Sequence, residues 1–220
     1  PGDTTVVSNK WMLGTRNSFI IGISATLLAT ALGTVAALGL SRRNMPFKGT
    51  IMAILISPMV VPLIITSAGM FFFYSKIGLT HTYLGLILAH TALGTPFVVI
   101  TVTATLTGFD TNLIRASQSL GADTMRTFFK VIMPLILPGV ISGALFAFIT
   151  SFDEVVVVMF IGSVEQITIP KQMWAGLRQE TSPVILCMAT CLVFLSIALL
   201  TTVELLRRIS ERLRGIKLQN

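Results

Sequence analysis

Five apolar runs, each as long as a bilayer demands of a helix, constrain this chain more than any other feature. They cover Ser18–Leu40, Thr50–Tyr74, Tyr83–Leu106, Pro134–Ile161 and Val184–Leu206; crossing hydrocarbon takes about 20 such residues. Within lipid every backbone N–H and C=O must be satisfied inside the segment, so runs of this kind fold as helices. A soluble helical protein would show a polar face on most of its helices, and these runs show almost none. The composition, 53% hydrophobic and 11% charged over 220 residues, is too apolar for a soluble domain of this size. The expected fold is all-α, a polytopic transmembrane helical bundle making one domain over residues 1–220.

The net charge of +7 is arranged by side. Arg42, Arg43 and Lys48 lie in the first connection, Arg115, Arg126 and Lys130 in the third, and Arg207, Arg208, Arg212, Arg214 and Lys217 in the tail. If the spans alternate, these eleven of sixteen basic residues share one face. Positive charge marks the cytoplasmic side, which puts the C-terminus inside and the start of the chain outside. The basic excess is therefore topological and gives no reason to expect nucleic acid.

The connection over residues 108–133 carries Asp110, Arg115, Asp123, Arg126 and Lys130 and cannot lie in hydrocarbon. It reads as two short helices. Asp110, Thr111 or Asn112 can cap the first, since their side-chain oxygens accept from orphan N–H groups. That helix should run to Leu120 and end at Gly121, a residue that tolerates the left-handed conformation of a C-terminal cap. Leu113, Ala116, Ser117 and Leu120 give it one small apolar face, and Asp123 can start the second helix. A helix this short is unstable alone and needs something to dock on, either its own bundle or another chain.

The spacing Arg115-Ala116-Ser117-x-x-x-Gly121, then nine residues, then Val131-x-Met133-Pro134 resembles the EAA loop of permease subunits in ATP-binding-cassette importers. Ala116, Gly121 and Pro134 match that pattern by identity; Ser117, Val131 and Met133 are conservative replacements. Arg115 stands where the family has glutamate and reverses the charge. The resemblance extends from about Ser18 to Arg208 and implies a type I importer permease fold. It implies an ATPase-coupling role for Arg115, Ala116, Ser117, Gly121, Ala122, Asp123 and Pro134. It also implies four kinds of partner: a second homologous permease, an ATPase dimer, an extracytoplasmic solute-binding protein and membrane lipid. Permeases of this kind often carry one more span before the first one here, so a preceding segment is expected.

Other features bear on the solute path. In the first span Ala25, Ala29, Gly33 and Ala37 form a small-residue ridge, and Gly139-x-x-x-Gly143 a second one, of the kind that lets helices approach closely. Pro58 and Pro62 should kink the second span, with Ser57 and Thr66 available to satisfy freed backbone groups. His90 in the third span reads as a hydrogen-bonded structural residue or as a solute ligand. Ser151-Phe152-Asp153-Glu154 places two acids in an apolar run, where they must face protein or water. They read as a negative lining for a cation or as a structural pair. SFDEVVVVMFIG with the later Ile-Pro-Lys-Gln-Met-Trp is similar to the permeases of polyamine (spermidine and putrescine) importers. That similarity assigns the substrate path to Ser151, Asp153 and Glu154. Relatives of the subgroup carry other small solutes.

Residues 1–17 read as a polar approach to the membrane, with Trp11 at the interface. Residues 163–183 form the longest polar outer segment, with Pro170 opening a helix that presents Met173, Trp174 and Leu177, while Lys171, Arg178 and Glu180 lie elsewhere. It rests on lipid or receives an external partner. Cys187 and Cys191 read as small packing residues rather than metal ligands. No phosphate loop, zinc-hydrolase motif or Gly-x-Ser-x-Gly elbow is present, so no catalytic or metal residue is expected. ATP and magnesium would sit on a separate ATPase chain. An ion-coupled secondary transporter should show charge pairs in several spans and an internal repeat, where this sequence shows one acidic pair. An intramembrane enzyme would need a nucleophile and base in reach; a purely structural subunit is opposed by the loop pattern. The expected location is the bacterial inner membrane.

Overall fold

A computed structural model of the chain describes residues 4–42, 45–108, 110, 112–179 and 183–213; among these it holds helices and turns and no strand. Arg43, Thr111, Glu180, Arg214 and Lys217, together with the side chains of Arg207, Arg208 and Arg212, lie outside the described residues.

Helices α1 (Thr4–Leu40), α4 (Tyr83–Thr107) and α7 (Met133–Asp153) make the centre of the bundle. α1 and α4 run the same way: the Thr91 hydroxyl reaches the Ala25 carbonyl, and Gly33 faces Val98. α7 runs against both, with Gly139 on Thr105, Gly143 on Thr101 and Val98, and Gly94 on Ala147. Both small-residue ridges are contact surfaces. Ala25, Ala29, Gly33 and Ala37 are all buried, and a Cβ added to Gly33 would lie 2.6 Å from that of Val98. Lipid supplies no hydrophobic drive between helices, so close approach and the dispersion contacts it permits hold these three together.

The second apolar run is two helices, α2 (Lys48–Val60) and α3 (Leu63–Lys76), which meet at 102°. The proline pair thus makes a break, not a gentle kink. Pro58 has no N–H and leaves the Ile54 carbonyl open, and the Ser57 hydroxyl donates to it at 2.8 Å. Thr66 donates to the Pro62 carbonyl at 3.5 Å. Because α1 ends and the parallel α4 begins at opposite faces, the bent pair must carry the chain across once. With α10 (Pro183–Leu213) the described residues make five crossings, the fifth being this broken one.

Two expected boundaries and one expected packing role change. The polar approach is already helical from Thr4, and Asn17 at its inner end is buried. The fourth run stops being one helix at Asp153 and resumes as α8 (Val156–Ile161). Cys187 and Cys191 are exposed free thiols. They lie on the flank of α10, which touches this chain chiefly through α7 and α9 (Ile169–Gln179).

The end of the bundle opposite Arg42 is fastened by α1. Asn17 Nδ2 donates to the carbonyls of Glu165 and Ile167, both at 2.8 Å, and its Oδ1 accepts from the Tyr83 hydroxyl at 2.9 Å. Ser18 Oγ accepts from the Ile169 N–H at 2.9 Å. These bonds seat α9, which keeps Ile169 buried and leaves Trp174 and Leu177 exposed, the Arg178 guanidinium lying over the Trp174 ring.

Candidate functional site

At the basic end, between α4 and α7, the chain folds as α5 (Asn112–Ser119), α6 (Thr124–Thr127) and one π turn (Phe128–Ile132) running into α7. Asp110 acts at the start of α5, its Oδ1 accepting from the Asn112 N–H at 2.9 Å. α5 stops one residue before the expected Leu120. The Ala122 N–H then reaches back to the Ser117 carbonyl and the Gly121 N–H to that of Gln118, at 3.0 and 2.9 Å. This pairing is the Schellman closure, which demands a left-handed residue, and Gly121 has φ +83°. A Cβ at Gly121 would meet nothing within 4 Å, so glycine is required there by backbone conformation and not by space. Asp123 caps α6, accepting from the Arg126 N–H at 2.7 Å.

One hydroxyl contact staples α5 to α6. Ser117 Oγ donates to the Ile114 carbonyl at 2.9 Å and lies 2.9 Å from Thr127 Oγ1. With its single proton so used, Ser117 is the acceptor and the buried Thr127 the donor. The apolar face read from sequence therefore divides. Ser117 turns inward with Ile114, while Leu113, Ala116 and Leu120 are exposed. Leu120 is 89% exposed. Arg115, Gly121, Asp123 and Pro134 are exposed as well, and Ala122 is half-buried.

The structure also separates the three path candidates. Ser151 is buried, its Oγ 2.8 Å from Nδ1 of the fully buried His90. Glu154 is buried too, and its Oε1 accepts from the N–H groups of Val156 and Val157 at 2.6 and 3.0 Å. It thereby places negative charge at the N-terminus of α8, where the helix dipole favours it. The other end of α8 is held by Lys171, which donates to the carbonyls of Val158, Gly162 and Ser163 at 3.1 to 3.2 Å. Burial pushes the Lys171 amine below its usual range. Asp153 alone of the pair is exposed. It sits where the backbone leaves the helix.

Asn17, Thr127 and Lys171 escape sequence reasoning. Each bonds a distant carbonyl or hydroxyl, and no local spacing signals that. A lysine one residue after a proline in a polar segment was the sole hint of the α8 clamp.

A bundle of this topology, with a looped-out helical pair at its basic end, matches the type I permease fold. The MetNI methionine ABC transporter superposes with a TM-score of 0.64 at 20% identity, covering 96% of this chain and 98% of that one. An amino acid ABC transporter gives 0.68 at 15% identity, covering 93% and 96%. The chain belongs to the family of binding-protein-dependent transport system inner membrane components, matched over residues 29–215. It is thus a transport subunit, multi-pass in an inner membrane. Its relatives include the spermidine/putrescine transport system permease protein PotC of Haemophilus influenzae, 31% identical over 87% of this chain and 75% of the relative. PotC of Escherichia coli K12 is 28% identical over 88% and 73%. The putrescine transport system permease protein PotI of that strain is 30% identical over 77% and 65%.

Proposed function

We propose that this chain lines half of the path through an ATP-driven importer of small polycations, with putrescine and spermidine as solutes. Relatives bearing those solutes in their names support the class. The observation that carries the solute chemistry is Asp153, an exposed carboxylate at the break between α7 and α8 within an apolar run. A charge at such depth persists only where protein or water meets it, and a passing polycation neutralises it while its own water is stripped. Glu154 and Ser151 position Asp153, through the start of α8 and through His90 respectively.

The basic end is cytoplasmic in this reading, as is the end of α10. A separate ATPase dimer, holding ATP and magnesium, takes up Leu113, Ala116 and Leu120 of α5 together with Arg115. Gly121, Ala122 and Asp123 set the angle to α6, and Pro134 opens α7. A second homologous permease completes the path, and an extracytoplasmic binding protein delivers solute at the α9 end. Nucleotide shifts the spans only by its differential affinity for their two arrangements, so α5 is where that difference enters this chain.

The test is uptake of labelled putrescine and spermidine by the assembled complex, wild type against Asp153→Asn. Lost uptake with assembly preserved supports the reading, whereas unchanged uptake removes Asp153 from the path.

A further inference from the structure

We propose that the cleft behind α5 is a binding site for an anionic phospholipid of the inner leaflet. The cleft measures about 530 Å³ and lies between the α5–α6 pair and the ends of α1, α4 and α7. That is the size of a small-molecule site, roughly 300 to 1,000 Å³. Leu38, Leu106, Ile114, Phe128 and Ile132 form apolar walls, and Arg42 stands on its lining.

Position and charge name the occupant. Leu38 and Leu106 belong to the last turns of two apolar runs, so the walls begin at the depth where acyl chains end. Arg42, just past α1, is exposed at headgroup level. Asp110 and Asp123, the acids of this connection, already cap α5 and α6. With Arg115 given to the ATPase face, Arg42, Lys48, Arg126 and Lys130 still outnumber those two acids, so this end keeps net positive charge for an outside anion. Basic residues beside a span attract anionic lipid at about 1 kcal/mol each. A soluble anion would satisfy Arg42 but leave the apolar walls wet; a phospholipid meets both.

The cleft does not compete with the proposed ATPase face. Ile114 lies on a different side of α5 from Leu113, Ala116 and Leu120. A lipid seated there props α5 from behind and sets the stiffness of the coupling lever. The inference rests on the orientation proposed above.

The complete transporter is reconstituted in phosphatidylcholine alone or with phosphatidylglycerol. Mass spectrometry then reads the retained phosphatidylglycerol, and solute moved per ATP reads the coupling. Wild type retains phosphatidylglycerol and couples better in its presence. Arg42→Gln retains about fivefold less, the share of one basic residue. Leu106→Trp, which keeps the charge but fills the cleft, loses both the lipid and its effect on coupling. Inorganic phosphate added to phosphatidylcholine vesicles does not substitute. Equal retention by all three proteins in an assembled, transporting complex overturns this inference alone, as does rescue by phosphate. If no ATPase co-purifies, the importer reading falls instead, while lipid retention still tests the cleft.

Discussion

His90 Nδ1 and Ser151 Oγ lie 2.8 Å apart in the buried seam between α4 and α7, joined across sixty-one residues of chain. The seam is otherwise apolar contact, Gly139, Gly143 and Ala147 against Thr105, Val98 and Gly94, with Phe97 stacked on Phe146. A directional bond sets the register that dispersion alone leaves loose. It does so two residues before Asp153, so the position of the exposed acid depends on it.

Removing either partner should cost about 1 kcal/mol, since hydrogen bonds between membrane helices average ~0.6 and reach ~1.7. In Ser151→Ala the imidazole is left buried without its partner. Melting in detergent should show His90→Leu plus Ser151→Ala destabilised by less than the sum of the singles. Strict additivity would mean that the two groups do not interact.

Asp153 and Glu154 should respond differently although they are adjacent. Glu154→Ala strips the acceptor from two N–H groups at the start of α8 and should lower stability by about 1 kcal/mol, within the range of lost helix caps. Glu154→Gln keeps an oxygen in place and should lose less. Asp153→Asn should leave the melting temperature unchanged while reducing uptake. Equal effects of Glu154→Ala and Asp153→Asn on melting would contradict the assignment.

Gly143→Leu forces a side chain into the backbone of Val98, where even a Cβ would sit 2.8 Å from its Cα. Overpacking of this kind costs typically 1–3 kcal/mol. Folded yield and detergent melting should both fall. Gly69→Ala, whose Cβ would meet nothing within 4 Å, is the control and should be near neutral.

At Gly121 the penalty is conformational. Valine at φ +83° is strained and β-branched, at roughly 1–2 kcal/mol. Asparagine, which tolerates that region, should be accepted far better. Membrane levels of Gly121→Val should match wild type while solute uptake is lost. Normal uptake by that variant would show that the angle between α5 and α6 does not carry the coupling.

Hydropathy and glycine placement made the spans, the two packing ridges, the left-handed turn at Gly121 and the Asp123 cap readable along the chain. Each follows from interactions within a few residues or from the cost of polar backbone in lipid. The 102° break, the burial of Asn17 and the different roles of two neighbouring acids were settled only by the folded bundle. In a uniformly apolar run, nothing local says where a helix will stop or which side chain will meet a carbonyl from another span. Asp153 faces outward and Glu154 inward because α7 ends between them, and that end depends on what α8 and Lys171 hold in place across the fold.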